Sequence, residues 1–88
     1  VSAVELTLRR LLPMAAEGLA AWGVSSDEAD RLLTVIEQRC VTQQNGSTWF
    51  IGQTEAREAS GASRAEALRL TTLDYRERMH ANEPVHTW

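Results

Sequence analysis

Residues 25–40, Ser-Ser-Asp-Glu-Ala-Asp-Arg-Leu-Leu-Thr-Val-Ile-Glu-Gln-Arg-Cys, carry the clearest helical pattern in this chain. Ser25 and Glu28 have the spacing of a capping box, and acidic side chains at this end favour a helix N-terminus. The apolar side chains that follow recur at steps of three and four residues, as on one face of a helix: Ala29, Leu32, Leu33, Ile36 and Cys40. The pattern predicts a helix over residues 26–43.

The preceding segment has the same helical spacing. Its apolar residues are Val4, Leu8, Leu11, Leu12, Ala15, Leu19 and Trp22. Pro13 lies within this pattern, where it removes a backbone donor and clashes with the preceding turn. We therefore expect a kink, or a fresh helix start near Leu12, and a helix end at Gly23.

The segment after Cys40 is interrupted by Gln43-Gln44-Asn45-Gly46-Ser47, and Asn-Gly is a strong turn signal. The favoured interpretation is a turn followed by a third helix over residues 48–60, with Ser47 as its N-cap. The small inner face of this helix is predicted to hold Trp49, Gly52, Ala56 and Ala59. The alternative is a β-hairpin around Asn45-Gly46, with residues 41–42 and 49–51 as its strands, although an isolated hairpin is marginal in water.

Gly61 is predicted to end the third helix. A second capping box, Ser63 and Glu66, follows it and predicts a fourth helix over residues 64–81. Its predicted apolar stripe is Ala65, Leu68, Thr72, Tyr75 and Met79. Pro84 ends the helix before Glu83. Four helices with short connections predict an all-α fold, a small up-and-down four-helix bundle, as a single domain over residues 1–88.

Composition excludes several classes of function. The chain has 88 residues and a net charge of −3, with nine basic residues spread along it, which disfavours nucleic acid as a partner. It contains no basic amphipathic run and no apolar run long enough to span a membrane. All the basic residues are arginine, so lysine-based chemistry is absent. The single cysteine favours a cytoplasmic location.

Side chains with catalytic potential have simpler explanations. Cys40, His80 and His86 lack the paired spacing of a zinc site, and Cys40 falls on an apolar stripe. The serines before the helices are explained as caps. The sequence therefore predicts no catalytic, cofactor-binding or metal-binding residue.

The closing residues, Pro84 to Trp88, would need a docking surface to be ordered, and we expect an ordered C-terminal tail. Each of the three tryptophans, Trp22, Trp49 and Trp88, either anchors a helix junction or belongs to an interface. The predicted interface residues are Trp49, Asn45, Gly46, His86 and Trp88.

Several short stretches are similar to one enzyme family. Leu11-Leu12-Pro13-Met14-Ala15, Gly18-Leu19-Ala20 and Glu28-Ala29-Asp30-Arg31 resemble the C-terminal part of bacterial carboxylate–amine ligases, the glutamate–cysteine-ligase-like proteins of the second type. The same holds for Ile36-Glu37-Gln38-Arg39 with Gln44-Asn45-Gly46 and Trp49, and for the closing Asn82-Glu83-Pro84-Val85-His86-Thr87-Trp88.

The resemblance implies a parent enzyme that joins a carboxylate to an amine through an acyl phosphate, using ATP and a divalent metal. It places the residues for that chemistry in a longer preceding region with a glutamine-synthetase-like fold, so no catalytic residue or cofactor is assigned to residues 1–88. Because the chain begins at Val1 rather than methionine, we expect a longer gene product. The expected role is packing or assembly against the catalytic domain or a second subunit, with a homo-oligomer as one outcome. The alternative is a free-standing helical interaction module.

Overall fold

The computed structural model describes residues 3–42 and 44–81, with side chains from residue 6 onward except at positions 41, 44 and 45. It contains four helices: α1 (Ala3–Ala21), α2 (Ser26–Thr42), α3 (Gln44–Ala59) and α4 (Arg64–His80). Within the described residues all regular structure is helical, which confirms the all-α prediction. The predicted ordered tail, with His86 and Trp88, lies outside these residues.

Each helix packs on the next, and α4 closes the bundle by packing on α1. The α1 helix also contacts α3 across the bundle, so these two helices each touch all the others. The radius of gyration is 12.0 Å. Short connections force consecutive helices to be neighbours, as expected for a small four-helix bundle.

The α1–α2 and α3–α4 connections have the same construction. After α1, the backbone N–H of Val24 bonds to the carbonyl of Leu19, and Gly23 adopts a positive φ of 83°. After α3, the N–H of Ala62 bonds to the carbonyl of Arg57, and Gly61 has a φ of 107°. Both are Schellman motifs, which need a left-handed residue that glycine supplies without strain.

A serine starts the next helix in both connections. The hydroxyl of Ser25 accepts the backbone N–H of Glu28 at 3.2 Å, and Ser63 accepts that of Glu66 at 3.2 Å. Both predicted N-caps are therefore confirmed, and so are the glycine stops. The two connections share the pattern Gly-x-Ser-x-x-Glu-Ala, from Gly23 to Ala29 and from Gly61 to Ala67.

The predicted apolar faces of α1 and α2 form the core. The buried set includes Leu8, Leu11, Leu12 and Ala15 from α1 and Leu33, Ile36 and Cys40 from α2. Phe50, Leu68 and Tyr75 complete the cluster from α3 and α4. α1 is a single helix with Pro13 inside it, and the kink at Pro13 stays a prediction. Trp22, predicted on the inner face, is instead 64% exposed just beyond the end of α1.

The predicted turn at Asn45-Gly46 is wrong, because both residues belong to the first turn of α3. Helical backbone at 44–51 also rules out the hairpin alternative. Ser47 is a buried residue within the helix, where its hydroxyl donates to the carbonyl of Cys40 at 3.0 Å. The last turn of α2 thus gains a partner from α3, and this tertiary contact overrides the local turn preference.

The predicted inner face of α3 is wrong at three of its four residues, whereas Trp49 packs against the core cluster. Gly52, Ala56 and Ala59 are exposed, and Trp49 is half-buried. The face that enters the bundle holds Gly46, Ser47, Phe50 and Thr54. Two of these are hydroxyl residues that bond to backbone carbonyls, so polar side chains occupy positions that an apolar pattern search discards.

A close helix approach occurs at Gly18, between α1 and α4. A Cβ placed on Gly18 would lie 2.7 Å from the carbonyl oxygen of Ala65 and 3.4 Å from the Cβ of Arg69. A backbone oxygen cannot move aside as a flexible side chain can. Gly18 therefore sets the distance between α1 and the first turn of α4.

We predict that Gly18→Ala lowers the free energy of unfolding by about 1–3 kcal/mol, because α1 and α4 must separate to admit the new methyl group. Gly52→Ala is the matched control, since Gly52 lies in a helix and a Cβ added there would meet nothing within 4 Å. The control should gain about 0.5–1 kcal/mol from better helix propensity. Chemical denaturation measures the free energy of unfolding of both variants. Equal effects of the two substitutions would contradict the assignment of Gly18 as the residue that sets the distance between α1 and α4.

Candidate interaction surfaces

The structure locates two of the predicted interface residues next to the α2–α3 junction. Asn45 belongs to the backbone of the first turn of α3, and Gly46 is buried. Trp49 lies one turn further along α3 and is half-buried. Gly46 and Trp49 thus face neighbouring helices of the same chain rather than open solvent.

Trp49 connects α3 to α4. Its ring meets that of Tyr75 edge-on, with centroids 5.9 Å apart and an interplanar angle of 66°. The guanidinium of Arg78 lies 5.0 Å from the Trp49 ring centroid, at cation–π distance. These contacts agree with the interpretation of Trp49 as a helix-junction anchor, and its role in an interface stays a prediction.

Tyr75 is fully buried where α2, α3 and α4 meet. Its hydroxyl oxygen accepts the thiol of Cys40 at 3.9 Å, and the guanidinium of Arg39 lies 5.9 Å from its ring. Burial raises the pKa of Tyr75 from 10.0 to about 12. Burial also raises the pKa of the Cys40 thiol. A protonated, enclosed thiol is a poor nucleophile, so this cluster is suited to packing rather than to catalysis.

A polar network joins α3 to α4 on the side of Trp49. Arg57 donates to the hydroxyl of Thr71 at 2.8 Å and to the carboxylate of Asp74 at 3.4 Å. Arg78 approaches the other oxygen of Asp74, also at 3.4 Å. The hydroxyls of Thr71 and Thr54 share a hydrogen bond of 3.4 Å. The network binds the two helices to each other with half-buried charges.

An open groove runs between α1 and α2, with a volume of about 710 Å³. Buried Leu12 and Leu33 form its floor, and an ion pair between Arg9 and Glu37, 3.3 Å from nitrogen to oxygen, bridges the two helices along it. Its remaining walls are Pro13, Ala16, Asp30 and Thr34. The apolar pattern of neither helix predicts this groove, because its two walls are distant in sequence and each wall mixes polar and apolar residues.

A smaller depression of about 280 Å³ lies between α2 and α4. The ion pair of Arg76 with Glu28, at 3.8 Å, borders it together with exposed Val35 and His80. His80 is in the last turn of α4, the position at which a cation is favourable.

Trp22 lies under the guanidinium of Arg69, at 4.2 Å from the ring centroid. Arg69 also borders the close approach at Gly18, since its Cβ would lie 3.4 Å from a Cβ placed on that glycine. Stacking on Arg69 explains how a large aromatic ring is held while 64% of its surface is exposed.

Within residues 3–42 and 44–81 the structure brings together no group of three metal-ligating side chains. In the same residues no helix is both long and apolar enough to cross a membrane.

Comparison with known proteins gave no match to any family model, to any curated protein or to any solved structure.

We predict that Thr71→Val lowers the free energy of unfolding by about 1–2 kcal/mol, because Arg57 loses its shortest hydrogen bond in a half-buried site. Thr72→Val is the matched control, since the equally buried Thr72 donates to the carbonyl of Leu68 in its own helix. It should cost less than Thr71→Val, because the lost hydrogen bond is between neutral groups of one helix and no charged partner is left without it. Equal losses in denaturation curves would show that Arg57 and Thr71 do not cooperate.

We also predict a loss of stability between pH 10 and about 12. Tyr75 ionises at a higher pH in the folded chain than in the unfolded chain, so its stabilising effect is complete below pH 10 and is lost as pH rises towards 12. The chain has no lysine and a single tyrosine, so besides the buried Cys40 thiol, whose pKa is also raised, few other groups titrate there. Tyr75→Phe should flatten this decline, as followed by denaturation at several pH values. An unchanged slope would refute the prediction.

Proposed function

We propose that this chain is a non-catalytic helical module that serves packing or assembly, as the C-terminal part of a glutamate–cysteine-ligase-like carboxylate–amine ligase in the cytoplasm. The α1–α2 groove is the observation that carries the assembly role. Its apolar floor and charged rim match the mixed composition of protein interfaces. The ligase assignment is supported by the resemblance of Leu11–Ala15, Glu28–Arg31 and the closing residues to that family.

In this proposal ATP, the divalent metal and the amino acid substrates bind to a separate catalytic region of the parent enzyme. The present chain contributes surfaces. Its titratable core groups, Cys40 and Tyr75, are enclosed with raised pKa values, which suits a structural role. Its charged side chains join helices to one another, as in the Arg57–Asp74 pair.

The alternative is a free-standing interaction module, and one observation favours it. The core cluster draws on all four helices of the chain itself, from Leu8 to Tyr75, so these residues have the means to fold without a catalytic domain. The two candidates differ in whether ligase coding sequence adjoins the codons for residues 1–88.

We expect the 88-residue chain alone to show no ATP hydrolysis that depends on glutamate and cysteine. The product of the whole reading frame should show it, and removing residues 1–88 should lower the number of subunits in its assembly, its thermal stability or its activity. Light scattering measures the size of the assembly, thermal unfolding measures its stability, and an ATPase assay measures its activity. If truncation changes none of these quantities, the packing role is refuted, and a frame without ligase sequence favours the free-standing module.

A substitution on the groove wall tests the groove as a contact surface without disturbing the fold of the bundle. Thr34→Arg places a bulky cation on the groove wall, whereas Thr48→Arg places the same side chain on the exposed surface of α3. We expect only the Thr34 variant to lower the thermal stability or activity of the parent enzyme. Thermal unfolding followed by circular dichroism should show that the two isolated bundles are equally stable. Equal behaviour of both variants in the parent enzyme would exclude the groove as the contact.

A further inference from the structure

The outer surface of α1 is more apolar than a solvated helix face requires. α2, α3 and α4 cover the rest of α1, yet Leu6 is 49% exposed and Met14 is 36% exposed. Pro13, Ala20 and Ala21 are also exposed on this helix. Single exposed apolar residues are common, but several along one helix indicate a contact surface.

These side chains follow a regular spacing. Leu6, Arg10, Pro13, Glu17 and Ala20 are separated by four, three, four and three residues and are all exposed. We call this set the α1 outer stripe. Alternating steps of three and four place side chains along the line where two helices can pack against each other.

The stripe carries two charges of opposite sign, Arg10 and Glu17, on either side of Pro13. Among the side chains that the structure describes, neither Arg10 nor Glu17 forms an ion pair. The neighbouring Arg9, by contrast, reaches across the groove to Glu37 at 3.3 Å. Both charges of the stripe are therefore open to a partner from outside the described bundle.

The stripe is complementary to itself when one copy is turned end for end about Pro13. Arg10 lies three residues before Pro13, about 4.5 Å along the helix, and Glu17 lies four residues after it, about 6 Å. An antiparallel second copy therefore places its Glu17 opposite Arg10, and its Arg10 opposite Glu17. Leu6 then meets the Ala20 end of the other helix. A contact in which each surface meets an identical one is typical of a two-fold dimer.

We propose that two copies of this chain associate through the α1 outer stripe, with their α1 helices antiparallel and Pro13 at the two-fold axis. The inference rests on the proposed assembly function, for which it names a second copy as the partner. A parallel pair is disfavoured because it would set Arg10 against Arg10 and Glu17 against Glu17. The small side chains Pro13 and Ala20 allow the helix backbones to approach.

Charge reversal tests the arrangement. Sedimentation equilibrium of the 88-residue chain should give twice its mass of 9.8 kDa at high concentration. Arg10→Glu or Glu17→Arg alone creates two like-charge contacts per dimer and should raise the dissociation constant about tenfold. The double variant Arg10→Glu with Glu17→Arg should restore dimerisation, because the complementary pattern is only inverted.

Matched controls are Arg31→Glu and Glu55→Arg, which reverse exposed charges outside α1 and should leave the dissociation constant unchanged. Circular dichroism verifies that each variant is folded. A chain that is monomeric throughout overturns the proposal. So do single reversals that match the controls, or a folded double variant that fails to dimerise.

Cross-linking tests the orientation. In an antiparallel pair centred on Pro13, a cysteine at position 13 meets itself across the axis, whereas one at position 6 faces the other end of the helix. Pro13→Cys should therefore form a disulfide-linked dimer under mild oxidation, and Leu6→Cys should not. The unaltered chain is the control, since its own Cys40 is only 2% exposed. Linkage of both variants would indicate a parallel pair, and linkage of neither would exclude the contact.

The proposed function and this inference fail separately. If the 88-residue chain is monomeric, but its removal still lowers the subunit number, thermal stability or activity of the parent enzyme, the dimer alone is overturned. A charge-dependent dimer whose removal leaves the parent unaffected supports the dimer and overturns the ligase role.

Discussion

The buried ring of Tyr75 is the contact on which the arrangement of three helices depends. α2 brings the thiol of Cys40 to its hydroxyl, and α3 brings the rings of Trp49 and Phe50 to its sides. A phenol placed in this position needs a partner for its oxygen, because an unsatisfied buried polar group is costly. The only cysteine of the chain contacts that oxygen, so a residue with reactive potential is committed to the core.

The second constraint on the bundle is the contact of Gly18 with the carbonyl of Ala65, which fixes the distance between α1 and α4. Tyr75 and Gly18 act at different places along α4, one through a large side chain and the other through a missing one. The network of Arg57, Thr71 and Asp74 adds a polar contact between α3 and α4. Three different kinds of interaction thus fix the position of α4 in the bundle, although its sequence has the weakest amphipathic pattern of the four helices.

Local signals predicted much of this fold. Ser25 and Ser63 were expected as caps and Gly23 and Gly61 as stops, because the physics of helix ends is contained within a few residues. The apolar stripes of α1 and α2 were also predicted, since their spacing is regular. The start of α3 was not, because the bond from Ser47 to the carbonyl of Cys40 joins two helices and has no local signature. The α1–α2 groove was missed for the same reason, as it arises only when Arg9 and Glu37 are brought together.

The duplicated connection, Gly-x-Ser-x-x-Glu-Ala, has a consequence for the way the chain reaches its fold. Both copies stop one helix and start the next through hydrogen bonds that span at most five residues. Closing such short loops costs little entropy, and local contacts of this kind are associated with fast folding. The sequence of each half of the chain is therefore sufficient to specify the connection of a helical hairpin. Folding can begin in either half, and the halves need only meet around Tyr75 and Gly18.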